Sequence, residues 1–279
     1  MLFFKRAPLV PVLRLTGTIG AATPLRAGLT MAGTAGAIER AFALSKTPAV
    51  AVVINSPGGS PVQSHLIYKR IRSLANETGK KVYVFAEDVA ASGGYLIALA
   101  GDEIFADASS IVGSIGVISA GFGFDKAIER LGIERRMYTS GRSKGALDPF
   151  QPERAEDIAR LRGIQDDVHA GFIALVKERR GARLLGNEEE LFSGAFWTGR
   201  QGMTLGLVDG IADLKSKMQE MFGKDVKLRV VPLGGGGLMG RLRRLPGIGA
   251  GAAGQGQPTL AEDVVSTLEA RALWARFGL

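Results

Sequence analysis

The chain contains no cysteine, which removes disulfides, thiolate metal sites and cysteine nucleophiles together. Histidine is nearly as scarce. His65 and His169 are the only two, too few for a histidine-rich metal site, and no metal or cofactor is expected. His65 falls in an apparent helix from Val62 to Leu74, and His169 sits among polar residues of a long helix. Both therefore read as surface or packing residues. Acid–base chemistry must then come from carboxylates, lysine or tyrosine. Aromatic residues make up only 7% of the chain, and no RNA- or DNA-binding motif accompanies the net charge of +8. Nucleic acid is set aside as a partner for that reason. Long apolar runs are missing as well. The opening Met1-Leu2-Phe3-Phe4-Lys5-Arg6 leads into a stretch interrupted by Pro8, Pro11 and Arg14. It is too short to span a membrane and lacks the h-region and cleavage site of a signal peptide. The expectation is a cytoplasmic protein, with peripheral membrane contact as the one anionic partner the basic balance leaves open.

What is present is an α/β pattern. With 279 residues, 46% hydrophobic and 22% charged, the chain is long enough for one large core with a small appendage. Ala49-Val50-Ala51-Val52-Val53-Ile54 is a continuous apolar run, of the kind found in strands covered on both faces. Strands are also predicted at Val10–Gly17, Lys81–Ala86, Glu103–Ala106, Ile111–Ile118, Ile133–Thr139 and Val226–Pro232. Helices are predicted at Ala37–Leu44, Pro61–Ala75, Asp125–Leu131, Pro152–Arg180 and Ile211–Met221, with a shorter helical unit at Phe196–Met203. The alternation implies helices packed on a mainly parallel sheet. This globular part occupies residues 1–232. A glycine-rich basic linker is expected over 233–258 and an amphipathic helix over 259–279.

Three glycine-containing turns follow strands: Asn55–Ser60, Ala91–Gly94 and Val112–Gly116. Ligands bind at such turns in α/β sheets, and none of the three matches a phosphate-cradling motif. The central one, Ala91-Ser92-Gly93-Gly94-Tyr95, places a hydroxyl at a helix start. Taken alone, Ser92 is best read as an N-cap. If it is instead a nucleophile, the Gly93 N–H and an N–H from Gly58-Gly59 can form an oxyanion hole. The hydroxyl then needs a base. A lysine serves when desolvation disfavours its ammonium form, and Lys144 stands between small residues at the end of the strand predicted over Ile133–Thr139.

Five motifs in order settle the comparison: Asn55-Ser56-Pro57-Gly58-Gly59, Ala91–Tyr95, Gly113-Ser114-Ile115-Gly116-Val117, Gly141-Arg142-Ser143-Lys144 and Phe196-Trp197-Thr198-Gly199-Arg200-Gln201-Gly202. Together they resemble the signal peptide peptidase A (SppA/SohB) family of serine peptidases over roughly Val10 to Leu214. The resemblance implies a ClpP/crotonase-like fold and a dyad of Ser92 as nucleophile with Lys144 as base. It makes Ser114 the hydroxyl that orients the lysine, and Gly59 and Gly93 the oxyanion-hole donors. It further implies a homo-oligomeric ring acting on remnant signal peptides or other membrane-associated peptides, with small apolar side chains preferred. Leu96 and Ser143 depart from the family, which often has aromatics there. A crotonase-like acyl-CoA hydratase or isomerase, or an inactive scaffold of the same fold, are the alternative readings.

Overall fold

Alternate side chains of the Ala49–Ile54 run point to opposite faces of a sheet, and both faces are covered. Val50, Val52 and Ile54 enter one apolar cluster, while Ala49, Ala51 and Val53 enter a second. Such a strand carries no polar alternation because neither side meets water. Each Val or Ile so buried stabilises the fold by about 1.5–3 kcal/mol relative to leaving it exposed.

A computed structural model describes residues 7–20, 28–234 and 271–278. Its first half runs β1 (Leu9–Thr16), α1 (Met31–Ala43), β2 (Ala49–Ser56), α2 (Pro61–Thr78), β3 (Lys81–Ala91), α3 (Gly93–Ala98), β4 (Glu103–Ala106) and β5 (Ile111–Gly113). The second half runs α4 (Asp125–Arg130), α5 (Ala155–Arg180), α6 (Glu188–Leu191), β6 (Phe196–Thr198), α7 (Gly199–Thr204), β7 (Gly210–Ile211), α8 (Leu214–Phe222) and β8 (Lys227–Val231). The strands lie in the order β6-β5-β3-β2-β1-β8, with β4 and β7 branching from β3. Every pairing is parallel except β5 with β6. The larger cluster brings Ile38, Ile67, Ile97 and Val176 of α1, α2, α3 and α5 against the sheet, and Met218 of α8 belongs to the cluster on the other face. The expected α/β architecture, a mainly parallel sheet flanked by helices, is the one observed.

The strand β3 does two jobs. Its first half pairs with β4, and its last residues, Val89 to Ala91, pair with β5. Splitting two partners along one strand opens the sheet at the end of β3, where the chain turns into α3.

Several local expectations need correction. Residues 133–139 form no strand. They are exposed apart from Met137 and have no strand partner among the described residues, and apolar residues alone do not hold a strand without one. The strand expected over Ile111–Ile118 stops at Gly113. Phe196–Thr198 is a strand rather than a helical start, because it pairs antiparallel with β5. Gly210–Ile211 likewise pairs with β4, so the helix expected from Ile211 begins at Leu214, capped by the Asp213 carboxylate. Apart from Leu233 and Gly234, the expected linker lies outside the described residues, as does the expected terminal helix up to residue 270. Residues 271–275 are helical.

Candidate active site

The turn from β3 into α3 puts Ser92 at φ +51°, ψ −122°, a strained conformation for a residue with a side chain. Its N–H donates to the Gly113 carbonyl at 2.8 Å, and its carbonyl accepts from Leu96 N–H at 2.9 Å. The main chain is thus fixed on both sides. The hydroxyl is not used for this, because Ser92 occupies the N-cap position and makes no side-chain capping bond. Structural duty does not account for it.

A register shift between Ile54 and Ser56 brings Ser56 opposite Ala90, which lays the following Pro57-Gly58-Gly59 alongside the Ser92 turn. The approach is too close for side chains. A Cβ on Gly58 would lie 2.8 Å from Ser92 Cβ and 2.9 Å from the Gly93 nitrogen. Gly59 adopts φ +139°, and a Cβ there would run into the Ile19 carbonyl. Ile19 and Gly59 form a bridge in which Ile19 N–H donates to Gly58 (2.9 Å) and Ser60 N–H to Ile19 (2.8 Å). Neither the Gly59 nor the Gly93 N–H has a protein acceptor among the described residues. The Gly59 nitrogen is 3.4 Å from where a Cβ of Gly93 would stand. Two free donors therefore sit next to an unengaged hydroxyl, the arrangement that stabilises a developing oxyanion.

Two cavities open beside Ser92. One, of about 330 Å³, is walled by Val62, Leu66, Leu96, Val168, Phe172 and Leu175, with His65 and Asp167 also on its lining. Burial first, and then the Lys69 charge, hold the His65 imidazole below its ordinary pKa. The ring is therefore neutral at pH 7, in keeping with an apolar wall. The other cavity is polar and is lined by Ser92, Ser114, Gly116, His169, Ser193 and Arg276, among others. Ser114 is buried, has φ +52° and donates its N–H to the Ala195 carbonyl at 2.7 Å.

Of the expected site residues, the structure gathers Ser92, Gly59, Gly93 and Ser114 around these cavities. It does not bring Lys144 to them. Lys144 lies in an exposed turn, lines neither cavity, and its amine makes no hydrogen bond or ion pair among the described residues. Conversely, the two histidines set aside as packing residues both reach the site. Helical periodicity gives only the face a residue occupies, and the partners of His169 come from loops far away in sequence.

Residues 75–228 match the family model described as peptidase family S49. A protein of Brucella abortus named Na(+)/H(+) antiporter NhaA is 54% identical over 276 residues, covering 97% of this chain and 37% of that protein. The chloroplastic serine protease SPPA of Arabidopsis thaliana is 33% identical over 61% of this chain and 25% of its own length. Protease 4 of Haemophilus influenzae is 28% identical over 66% and 29% respectively. The chain thus spans well under half the length of each. The antiporter name describes a much longer protein. Among the described residues here no helix is long and apolar enough to cross a membrane, and the matched segment contains the peptidase region. With more than half of its residues matched by that model, this chain belongs to peptidase family S49.

Proposed function

We propose that the protein is a serine endopeptidase in which Ser92 attacks the peptide carbonyl and Lys144 acts as the base. The observation that carries this reading is the Ser92 hydroxyl, which is at a helix N-cap yet caps nothing, beside two backbone N–H groups without acceptors. The neutral amine of Lys144 takes the hydroxyl proton as the Ser92 oxygen bonds to the carbonyl carbon. The carbonyl oxygen becomes an oxyanion held by the Gly59 and Gly93 N–H groups. The ammonium returns its proton to the leaving amine as the peptide bond breaks. Water then releases the acyl-enzyme by the same steps, with Lys144 again as base. Ser114 faces the approach and orients the amine. The apolar cavity receives an aliphatic substrate side chain next to the scissile bond, which suits remnant signal peptides and other apolar, membrane-associated peptides.

Among the described residues of one chain no lysine lines the cavities beside Ser92, and a lysine amine becomes an effective base near neutral pH only when water is removed from it. We infer that Lys144 is delivered to Ser92 by a neighbouring copy in a homo-oligomeric ring. The exposed apolar segment that carries Lys144 supports this, since it supplies a surface for such a neighbour.

Digestion of a peptide library by the full chain and by Ser92→Ala tests the reading. Cleavage after small or aliphatic residues, absent from Ser92→Ala, is expected, and so is covalent labelling of Ser92 by a serine-directed reagent. Equal digestion by Ser92→Ala would sink the proposal.

A further inference from the structure

Three consecutive residues of the turn after β5 are each tied to a different part of the fold. The Gly113 carbonyl accepts from Ser92 N–H at 2.8 Å, and Ser114 N–H donates to the Ala195 carbonyl at 2.7 Å. The Ile115 carbonyl lies 3.1 Å from Nε2 of His169, which projects from α5. Ser114 is held between these ties at φ +52°. A residue with a side chain keeps such a conformation only where its surroundings over-determine it. The first two ties are between main-chain groups and do not depend on which side chains are present. The third depends wholly on His169.

Donation to the Ile115 carbonyl requires the proton on Nε2, as in the Nε2–H tautomer of the neutral ring. His169 also lines the polar cavity together with Ser92 and Ser114, so the ring sits at the site as well as behind the turn. Ile115 itself is fully buried, which anchors the far end of the turn and transmits the hold on its carbonyl back to Ser114.

We propose that His169 is a positioning residue of the peptidase site: by holding the Ile115 carbonyl it fixes the Ser114 hydroxyl where the incoming Lys144 amine needs it. This rests on the Ser92/Lys144 reading and adds to it a residue outside the five motifs.

The test compares steady-state cleavage of an apolar peptide by the full chain, by His169→Phe and by His169→Gln, with Ser92→Ala as the blank. Phenylalanine keeps a ring and removes the donor, whereas glutamine keeps an N–H of similar reach. His169→Phe should lower kcat by about 10- to 100-fold, part of what a well-placed base contributes. Its KM should stay within about twofold, the pattern of a loss felt only in the transition state. His169→Gln should recover most of the rate. In a Ser114→Ala background the His169→Phe loss should vanish, because both changes act through one hydroxyl. A raised KM with kcat intact, equal losses in the two His169 variants, or losses that add in the double variant would each overturn the proposal. Should His169→Phe not fold, His169→Asn replaces it, since its shorter amide does not reach the carbonyl. If the full chain cleaves nothing, or Ser92→Ala cleaves equally well, the peptidase reading falls and takes this proposal with it. If the full chain cleaves, Ser92→Ala does not, and His169→Phe matches the full chain, only the role of His169 falls.

Discussion

Ser92 and Lys144 lie in regions built on opposite terms. Around Ser92 the main chain is fixed on both sides, every residue of α3 is buried, and the strands beneath are covered on both faces. The arm of residues 118–154 has no such cover, and no residue of α4 is buried. Phe122 is 81% exposed, Leu131 72% and Tyr138 92%. Lack of apolar side chains is not the cause, for Ile118, Phe124, Ile133 and Phe150 are also there and also exposed. What holds the arm is its own local contacts: Phe124 stacks on Phe150 at 5.5 Å, Arg135 lies over the Phe150 ring, and Phe124 N–H donates to the Pro149 carbonyl at 2.6 Å. The body buries its apolar residues within one chain, and the arm presents them for another surface to bury. Exposed apolar patches of this extent mark interaction sites. On the proposed reading, one chain completes the nucleophile and its oxyanion donors and leaves the base to be supplied.

The sharpest way to break that contrast is to remove each half in turn. Ser92→Ala and Lys144→Ala should each lower kcat by a factor on the order of 10⁴ or more, as loss of a nucleophile or its base does in hydrolases. Lys144→Ala should leave the thermal midpoint where it was, because an exposed side chain without partners contributes little to stability. If the dyad spans two copies, mixing the two inactive variants and allowing subunits to exchange should restore activity. Each mixed contact can join an intact Ser92 to an intact Lys144. No recovery after demonstrated exchange would place both halves in one chain.

The same contrast explains what was legible in the sequence. The body could be read because its signals are local and agree with one another. The β2 run is apolar on both faces, the glycines at 58 and 59 stand where backbones approach too closely for a side chain, and a Cβ on Gly93 would meet the Ser64 hydroxyl. The motif singles out Lys144, but the surroundings expected of it are not the ones observed. The strand expected over Ile133–Thr139, at whose end it was to sit, has no partner among the described residues. Phe196–Thr198 was misread as helical because three residues are too few for periodicity to speak, and only pairing with β5 defines them. His169 was invisible for a related reason, since the carbonyl it serves lies 54 residues away.

A second prediction probes how the body is held. Arg180, at the C-terminal end of α5, is only 2% exposed and donates to both carboxylate oxygens of Asp209, at 2.8 and 3.0 Å. The Ile104 N–H adds a further bond to Asp209 at 2.7 Å. Burial alone would raise the Asp209 pKa. The hydrogen bond and charge of Arg180, with Ile104 N–H and Arg183, outweigh it, and the net shift is downward. Asp209→Asn leaves a buried guanidinium without its counter-charge and should cost about 3–5 kcal/mol. A lowered folded-state pKa contributes stability that is present above the ordinary carboxylate range and lost as pH falls through it. The wild-type melting midpoint should therefore drop below about pH 4, and the share of that drop owed to Asp209 should be missing in Asp209→Asn. An unchanged midpoint in the variant at pH 7 would show that the Arg180–Asp209 pair adds nothing to the hold of α5 on the sheet.

A small effect on stability, and the most telling for the arm, is expected from Tyr138→Ser. At 92% exposure the ring has almost nothing to lose within its own chain, so the midpoint of the body should move by less than about 0.5 kcal/mol equivalent. If another copy covers the ring, the cost appears instead in the equilibrium between copies. An aromatic anchor lost from the centre of an interface costs about 2 kcal/mol or more. Sedimentation at a series of concentrations should then show assembly shifted to higher protein concentration, with activity following the assembled fraction. Asp209→Asn should give the reverse pattern, a lower midpoint with assembly unchanged wherever the chain stays folded. The two variants thus separate the stability of the body from the association of the arm. If Tyr138→Ser leaves assembly and activity both at wild-type values, the apolar arm is not what joins the copies, and the route of Lys144 to Ser92 must be sought on another surface.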